Sequence, residues 1–155
     1  MSIRQYKFFW IPCILILIIS CKKYSLDELS SAPEQIQIDG RVYILETDIY
    51  RDWNPEYTYP IRGTVSVIAS DSLTFPATVD VDIMWIVHEN DGWEAEQISD
   101  AEPPGEDFEL KKIIEGNGAD WDFDDSVDVV VHLIVDNVDT GYLLRAANQV
   151  IGLSY

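Results

Sequence analysis

Four aspartates stand close together just before a strongly apolar stretch, and they alternate with two aromatic residues: Asp120, Asp122, Asp124 and Asp125, with Trp121 and Phe123 between them. Carboxylates two and four positions apart in a loop can converge on a hard cation, and calcium takes six to eight oxygen ligands. The spacing lacks the glycine and the glutamate that a twelve-residue calcium loop requires at its sixth and twelfth positions. Two interpretations follow, a calcium site and a solvated acidic loop whose aromatic residues cap the fold.

A cysteine, Cys21, directly follows an apolar run at the start of the chain. Arg4 and Lys7 are the only charges before it, and residues 8–19 are apolar throughout. A basic start, then about a dozen apolar residues, then a small residue is the layout of a secretory signal peptide. A membrane-spanning helix needs about 20 apolar residues and would not contain Pro12. We therefore expect the thiol of Cys21 to lie at the membrane surface.

The sequence Ile18-Ile19-Ser20-Cys21 resembles the bacterial lipobox, although Ile19 stands where that motif has a small residue. The resemblance implies acyl chains such as palmitate on Cys21 and cleavage just before it. Two or more chains give stable membrane anchoring, so the chain is expected at the cell outer membrane, on its periplasmic or its surface side. A free cysteine after an ordinary cleaved signal and an uncleaved N-terminal anchor are the alternatives.

Cleavage before Cys21 would leave a strongly acidic chain without a disulfide. Cys13 would leave with the signal peptide, so the core alone must hold the exported domain together. Residues 21–155 contain all 28 acidic residues and eight of the ten basic ones, which gives a net charge of −20. Nucleic acid is excluded as a partner, because binding it requires a basic patch.

Motifs of an enzyme are absent from the sequence. We find no nucleophile elbow, no paired cysteine motif and no glycine-rich phosphate loop. The two histidines, His88 and His132, fall on separate predicted strands. A register that places His88 opposite Asp128 and Met84 opposite His132 separates the histidines by roughly 13 Å on the outer face, too far to share one metal. We therefore predict that the protein is not an enzyme.

Aromatic residues are the other candidates for binding, and five of them lie in or beside predicted loops: Trp53, Tyr57, Tyr59, Trp93 and Trp121. Rings in such loops can stack on a sugar or anchor a protein partner. They can equally close the ends of a small β-sandwich.

Alternating apolar residues predict the strands that position these groups. Apolar residues occupy the odd positions of residues 79–87 and again of residues 127–135, so we expect both odd faces in the core. Several even positions of the same two strands are also apolar: Met84, Ile86, Val130 and Ile134. This second face is predicted to be an interface or to be covered by the chain that precedes the domain.

The last segment of the chain changes phase. Tyr142 and Leu144 are apolar residues at even positions. Ile151, Leu153 and Tyr155, in contrast, are apolar residues at odd positions. Side chains alternate along a strand with a period of two, so we predict a bulge or break between Arg145 and Gln149.

The predicted fold is an all-β, two-sheet antiparallel sandwich of about seven strands, with no helix longer than one turn near Leu26. With Trp85 in a central strand, the order resembles an immunoglobulin-like or fibronectin type III-like domain that lacks the family's cysteine pair and corner tyrosine. We divide the chain into a signal peptide (1–20), a lipidated tether (21–36) and the sandwich (37–155). This layout also resembles lipoproteins of the Bacteroidota.

The function expected from these features is that of a non-catalytic, lipid-anchored accessory or adhesion-type module outside the cytoplasm, which presents a protein-interaction surface. A glycan-binding module that uses the loop aromatics and a calcium-stabilised structural domain are the two alternatives.

Overall fold

The computed structural model of the protein describes residues 24–52, 60–95, 98–100, 111–136 and 138–154. Within these ranges the chain forms one short helix and ten strands. Their bounds are α1 Leu26–Ser30, β1 Ile36–Ile38, β2 Arg41–Asp52, β3 Arg62–Ala69, β4 Val79–His88, β5 Asp91–Glu94, β6 Ile98–Asp100, β7 Lys111–Asn117, β8 Ser126–Val135, β9 Val138–Val150 and β10 Gly152–Ser154. No helix in the described part of the chain is long and apolar enough to cross a membrane.

The strands form two sheets, which confirms the predicted all-β sandwich. Sheet A has the order β1-β2-β3-β7-β6, with β10 added beside β2, and sheet B has the order β5-β4-β8-β9. All pairs are antiparallel except β10 with β2. In the letters used for immunoglobulin sandwiches, β2-β3-β7-β6 is A-B-E-D and β4-β8-β9 is C-F-G. Seven of the ten described strands therefore follow the immunoglobulin-like order, which the sequence resemblance implied without fixing the exact topology.

The facing sides of the two sheets form one hydrophobic core. Tyr43, Val65, Met84, Val129 and Leu144, each from a different strand, are at most 1% exposed. Complete burial of an aliphatic side chain of this size contributes about 1.5–3 kcal/mol, so a core drawn from five strands can hold the sandwich without a disulfide. The predicted inward face of β8 is confirmed, and its buried members are Val127, Val129, Val131 and Leu133.

Strand β4 departs from the predicted alternation at a β-bulge. Val81 lies opposite Leu133, but Ile83 already lies opposite His132, so β4 contains one extra residue between them. A bulge leaves one residue unpaired and reverses which later side chains face the core. The prediction that the odd positions of β4 are core is therefore wrong beyond Val81. Met84 and Ile86 enter the core instead, and the odd positions from Ile83 onward turn outward.

A second bulge lies where the phase change in the sequence predicted it. Val127 pairs with Gln149 and Val129 with Ala146, so β9 spends three residues where β8 spends two. Asn148 within the bulge has φ = 54°, a left-handed conformation that Asn tolerates better than most residues. The extra residue allows Ala146 on one side and Ile151 beyond the strand both to be buried.

Candidate functional site

Four of the sequence-predicted site residues lie outside the described residues: Cys21, Trp53, Tyr57 and Tyr59. The other two aromatic candidates have different environments. Trp93 lies on the edge strand β5 and is 37% exposed. Trp121 packs partly against the core, and its ring lies 5.3 Å from the ring of His88. Trp121 therefore serves the packing of the sandwich, whereas Trp93 keeps an accessible face.

The four predicted calcium ligands separate into two pairs. Arg51 takes the first pair, with its Nη2 2.7 Å from Asp120 and its Nη1 3.5 Å from Asp122. Of the second pair, Asp125 lies 3.8 Å from His88 Nε2, and the backbone nitrogen of Asp124 donates to Ile151. Among the described residues no group of three or more His, Cys, Asp or Glu side chains is placed to hold a metal ion.

The histidines are also placed differently from the predicted register. The bulge in β4 shifts its pairing by one, so Val87 lies opposite Asp128 and Ile83 lies opposite His132. The predicted cross-strand pair of His88 with Asp128 is therefore wrong. Asp128 instead accepts a 2.9 Å hydrogen bond from Arg145 Nη1.

The outer face of sheet B carries an apolar patch that the N-terminal chain covers. Residues 24–34, which we call the N-terminal strap, contribute Leu29 and Ala32 to a buried cluster with Trp85, Val87 and Val130. Leu29 is 3% exposed and Val130 is fully buried. Of the two interpretations of the apolar outer face, coverage by the preceding chain is confirmed. Because of the bulge, its β4 members are Trp85 and Val87, not Met84 and Ile86.

The helix in the strap begins with a capping box. The Ser25 hydroxyl accepts from the Glu28 backbone nitrogen at 3.3 Å, and the Glu28 carboxylate accepts from the Ser25 nitrogen at 2.8 Å. Such reciprocal bonds satisfy amide groups that the first helical turn leaves unpaired. The one helical turn that the sequence predicted near Leu26 is therefore present, as α1.

Both ends of the strap are fixed to sheet B. At its start, the Tyr24 ring lies 5.6 Å from the rings of Trp85 and of His132. At its end, the backbone nitrogen of Arg145 donates to the Pro33 carbonyl at 2.9 Å. Of the stretch 21–36 that the sequence predicted as a tether, residues 24–36 therefore belong to the folded body.

His132 lies beneath this strap and is nearly fully buried. Its Nδ1 is 2.7 Å from the Asp82 carboxylate, and its Nε2 has no hydrogen-bond partner among the described residues. Gly141 packs against the ring, because a Cβ at that position would collide with Nε2 and with the Leu133 carbonyl. The hydrogen bond between Nδ1 and the Asp82 carboxylate fixes the orientation of the ring. Buried in this way, His132 positions strands and offers no access to a substrate.

The outer face of sheet A, in contrast, carries a polar cleft of about 270 Å³ among the described residues. Cross-strand register builds it from two rows, Tyr50-Arg62-Asn117 and Thr64-Glu115-Ser99. The core-facing neighbours of these residues include Gly63 and Gly116, whose missing side chains make room for Ile49 and Met84 in the core. This cleft is not among the sites predicted from the sequence. The signal was the run of polar residues at the outward positions of β3 and β7.

A second, acidic cleft of about 540 Å³ lies at the end of sheet B beside the strap. Asp124, Asp125 and Asp128 line it together with His88 and Asn148. Two of its carboxylates lie near basic side chains, Asp128 at 2.9 Å from Arg145 and Asp125 at 3.8 Å from His88. Four carboxylate groups, with Glu89 included, give this cleft the same sign as the whole chain.

Comparison of the chain with protein-family models, with curated proteins and with solved structures finds no match. The immunoglobulin-like strand order is therefore an observation about topology, and the kinship with lipoproteins of the Bacteroidota stays a prediction.

Proposed function

We propose that this chain is a non-catalytic, lipid-anchored module outside the cytoplasm, acylated on Cys21, which presents a surface of its sandwich to a protein partner. The observation that carries the proposal is the packing of the N-terminal strap on sheet B. The described fold starts at Tyr24, so cleavage before Cys21 leaves every described element intact. The described part of the fold then begins three residues after the acylated residue.

The environments of the titratable groups support a non-catalytic role. His132 is 5% exposed and lies beneath the strap. His88 lies against Trp121, and its Nε2 is 3.8 Å from Asp125, beyond the usual hydrogen-bond range of about 2.7–3.2 Å. Among the residues that the structure describes, neither histidine is hydrogen-bonded to a nucleophilic hydroxyl or thiol, as covalent catalysis by an activated nucleophile requires.

The outer face of sheet A is the surface offered to the partner in this proposal, because the strap occupies the outer face of sheet B. Glu46, Asp48 and Glu115 are exposed on that face, and Arg62 is an exposed basic residue beside them. A partner with a basic surface fits this charge, since complementary potentials accelerate encounter and select against acidic competitors.

Removal of the acylated thiol tests the anchor. We expect the wild-type chain to incorporate a palmitate analogue and to sediment with membranes, and the Cys21→Ala variant to do neither. Cys13→Ala is the matched control, because it removes the other thiol and leaves the processing site unchanged. Membrane association of the Cys21→Ala variant would contradict the proposal.

The polar cleft of sheet A favours one second candidate, a glycan-binding module. Tyr50 can stack on a sugar ring, and Thr64, Ser99 and Asn117 can each donate and accept hydrogen bonds to hydroxyl groups. Arg62 and Glu115 keep the cleft nearly neutral, which suits an uncharged polyhydroxyl ligand. Trp53, Tyr57 and Tyr59, which the sequence predicted as ligand-binding residues, directly follow β2 in the chain.

Binding to a glycan array followed by calorimetry tests this second candidate. If a glycan binds in the cleft, Tyr50→Ala should weaken binding at least about tenfold, which corresponds to about 1.4 kcal/mol. Tyr142→Ala is the control, because Tyr142 is 43% exposed and does not line the cleft. An equal loss of affinity in both variants would place the glycan elsewhere.

A further inference from the structure

The first residue of the N-terminal strap, Tyr24, lies over the middle of sheet B. Tyr24 stacks edge-on against Trp85 of β4, with an angle of 80° between the rings, and also contacts the ring of His132 of β8. Strands β4 and β8 are the two central strands of sheet B. Tyr24 therefore lies above the centre of this face and not at one end of the sandwich.

The distance from Tyr24 to the acylated residue is short. Cys21 and Tyr24 are separated by three residue steps, and three fully extended steps span at most about 11 Å. If Cys21 carries acyl chains, its backbone lies at the membrane surface. The outer face of sheet B then lies within about 11 Å of that surface. Sheet A lies roughly 10 Å further away, which is the usual spacing of packed sheets.

We propose that the strap fixes the orientation of the sandwich, with the outer face of sheet B towards the lipid surface and the outer face of sheet A directed away from it. This inference rests on the proposed acylation of Cys21. Lys22 and Lys23 fall between the anchor and the sandwich, where each basic residue gains about 1 kcal/mol near an anionic head-group layer. The polar cleft of sheet A then faces a partner in solution.

The charge on the strap decides how close the approach is. Asp27 and Glu28 are exposed on α1, and Glu94 is exposed on the neighbouring strand β5. Their repulsion from anionic lipids is screened beyond about 8 Å at physiological ionic strength. The face therefore stands against the head groups without inserting into them.

Fluorescence quenching by lipids with a nitroxide on the head group tests the orientation. After acylation of Cys21 and loss of Cys13 the chain has no free thiol, so the Asp27→Cys and Glu46→Cys variants each carry one labelling site. Asp27 is exposed on the strap, and Glu46 is exposed on the outer face of sheet A. In vesicles of phosphatidylethanolamine and phosphatidylglycerol, we expect quenching several-fold stronger for the label at position 27.

A control keeps the anchor and removes the constraint. A flexible linker of about ten Gly and Ser residues after Lys23 has a root-mean-square span of roughly 17 Å, and it should bring the two quenching values together. Equal quenching at both positions in the unmodified chain, or stronger quenching at position 46, would overturn the orientation while membrane association still supports the proposed function. Loss of membrane association in both labelled variants would overturn the two proposals together.

Discussion

Lys112 joins the two sheets through a pair of carboxylates. Its Nζ lies 3.0 Å from Asp80 on β4 of sheet B and 2.5 Å from Asp100 on β6 of sheet A. Burial of the ammonium group lowers its pKa, but the hydrogen bonds to Asp100 and Asp80 outweigh that effect, and the pKa of Lys112 is raised. The ion pairs of Lys112 with Asp80 and Asp100 therefore link sheet A to sheet B.

This link predicts that the wild-type chain is more stable than a Lys112→Met variant at neutral pH and that the difference disappears at alkaline pH. Because the pKa of Lys112 is higher in the folded state, its contribution is complete below the ordinary lysine pKa of about 10.4 and is lost as the pH rises through the folded value. We expect Lys112→Met to lower the free energy of unfolding by about 1–2 kcal/mol at pH 7, and the gap to close above the folded pKa.

Urea denaturation across pH 7 to 11 measures this gap. Arg62→Met is the matched control, because the Arg62 side chain is 55% exposed and its ion pair with Asp52 is 3.7 Å long. An exposed pair of this kind contributes about 0–1 kcal/mol. A Lys112→Met effect that persisted unchanged at high pH would point to lost packing of the side-chain methylenes and not to lost charge.

Gly141 is required by the buried histidine beside it. An added Cβ would collide with His132 Nε2 and with the Leu133 carbonyl, and neither can move freely because His132 is also bonded to Asp82. We expect Gly141→Ala to reduce the free energy of unfolding by about 1–3 kcal/mol, as overpacking does in other cores. Gly152→Ala is the control, since its Cβ would meet only the Ile49 carbonyl at an ordinary 3.5 Å. Equal midpoints in chemical denaturation would contradict this reading.

At the scale of elements, one bulge in β4 and one in β9 decide which side chains of those two strands are buried. The one in β9 leaves a trace in the sequence, because the phase of the apolar residues changes there. The bulge in β4 leaves no trace, because residues 83–87 are all apolar. Both faces of the strand are therefore equally apolar in this stretch. Pairing with β8, which is distant in sequence, determines that Met84 enters the core and Trp85 faces the strap.

The strap depends on one buried leucine. Leu29→Ala removes contacts that are worth about 2–5 kcal/mol at a fully buried site. Because α1 has five residues and lies at the start of the folded body, we expect the loss to appear as local release of the strap before global unfolding. Amide exchange should accelerate in residues 25–32 and remain slow in β8.

Leu73→Ala is the control for this experiment. Leu73 is 62% exposed, so the same truncation there should change stability by no more than about 0.5 kcal/mol. Unchanged exchange in the strap of the Leu29→Ala variant would mean that Ala32 and Tyr24 hold it without Leu29. Release of the strap should also loosen the orientation proposed for the sandwich, since the distance from Cys21 to the folded body would increase.

At the scale of the whole molecule, the excess of acidic residues is the dominant electrostatic feature. A net charge of −20 on residues 21–155 favours solubility and destabilises the compact state through self-repulsion. We expect the melting temperature to rise with sodium chloride between about 10 mM and 0.5 M, because the screening length falls from roughly 30 Å to a few ångströms over this range.

Calcium separates general screening from a specific site. Asp120 and Asp122 are already paired with Arg51, and calcium would have to replace that contact and gather further oxygens. We expect calcium to raise the melting temperature no more than magnesium does at the same ionic strength. A larger effect of calcium, lost in an Asp124→Asn variant, would instead support the calcium-stabilised alternative.

Much of the architecture could be predicted because its physical causes are local. The alternation in residues 127–135, the phase change before Ile151 and the one helical turn near Leu26 all depend on neighbours within a few positions. The candidate site could not be predicted in the same way. Tyr50, Arg62, Glu115 and Ser99 come from four strands, and only the register of those strands brings them to one face.

The sequence by itself determined the all-β class, the acidic charge, the lack of a disulfide after Cys21 and the residue at which acylation is expected. The first three follow from composition and from side-chain periods of two, which do not depend on distant contacts. The residue at which acylation is expected follows from the resemblance of Ile18-Ile19-Ser20-Cys21 to the bacterial lipobox. The tertiary structure decided which side of β4 is buried, that the strap covers sheet B, and that polar residues from four strands form a cleft on the outer face of sheet A. Each of these depends on pairing between segments far apart in the chain, where a shift of one residue turns every side chain to the opposite face.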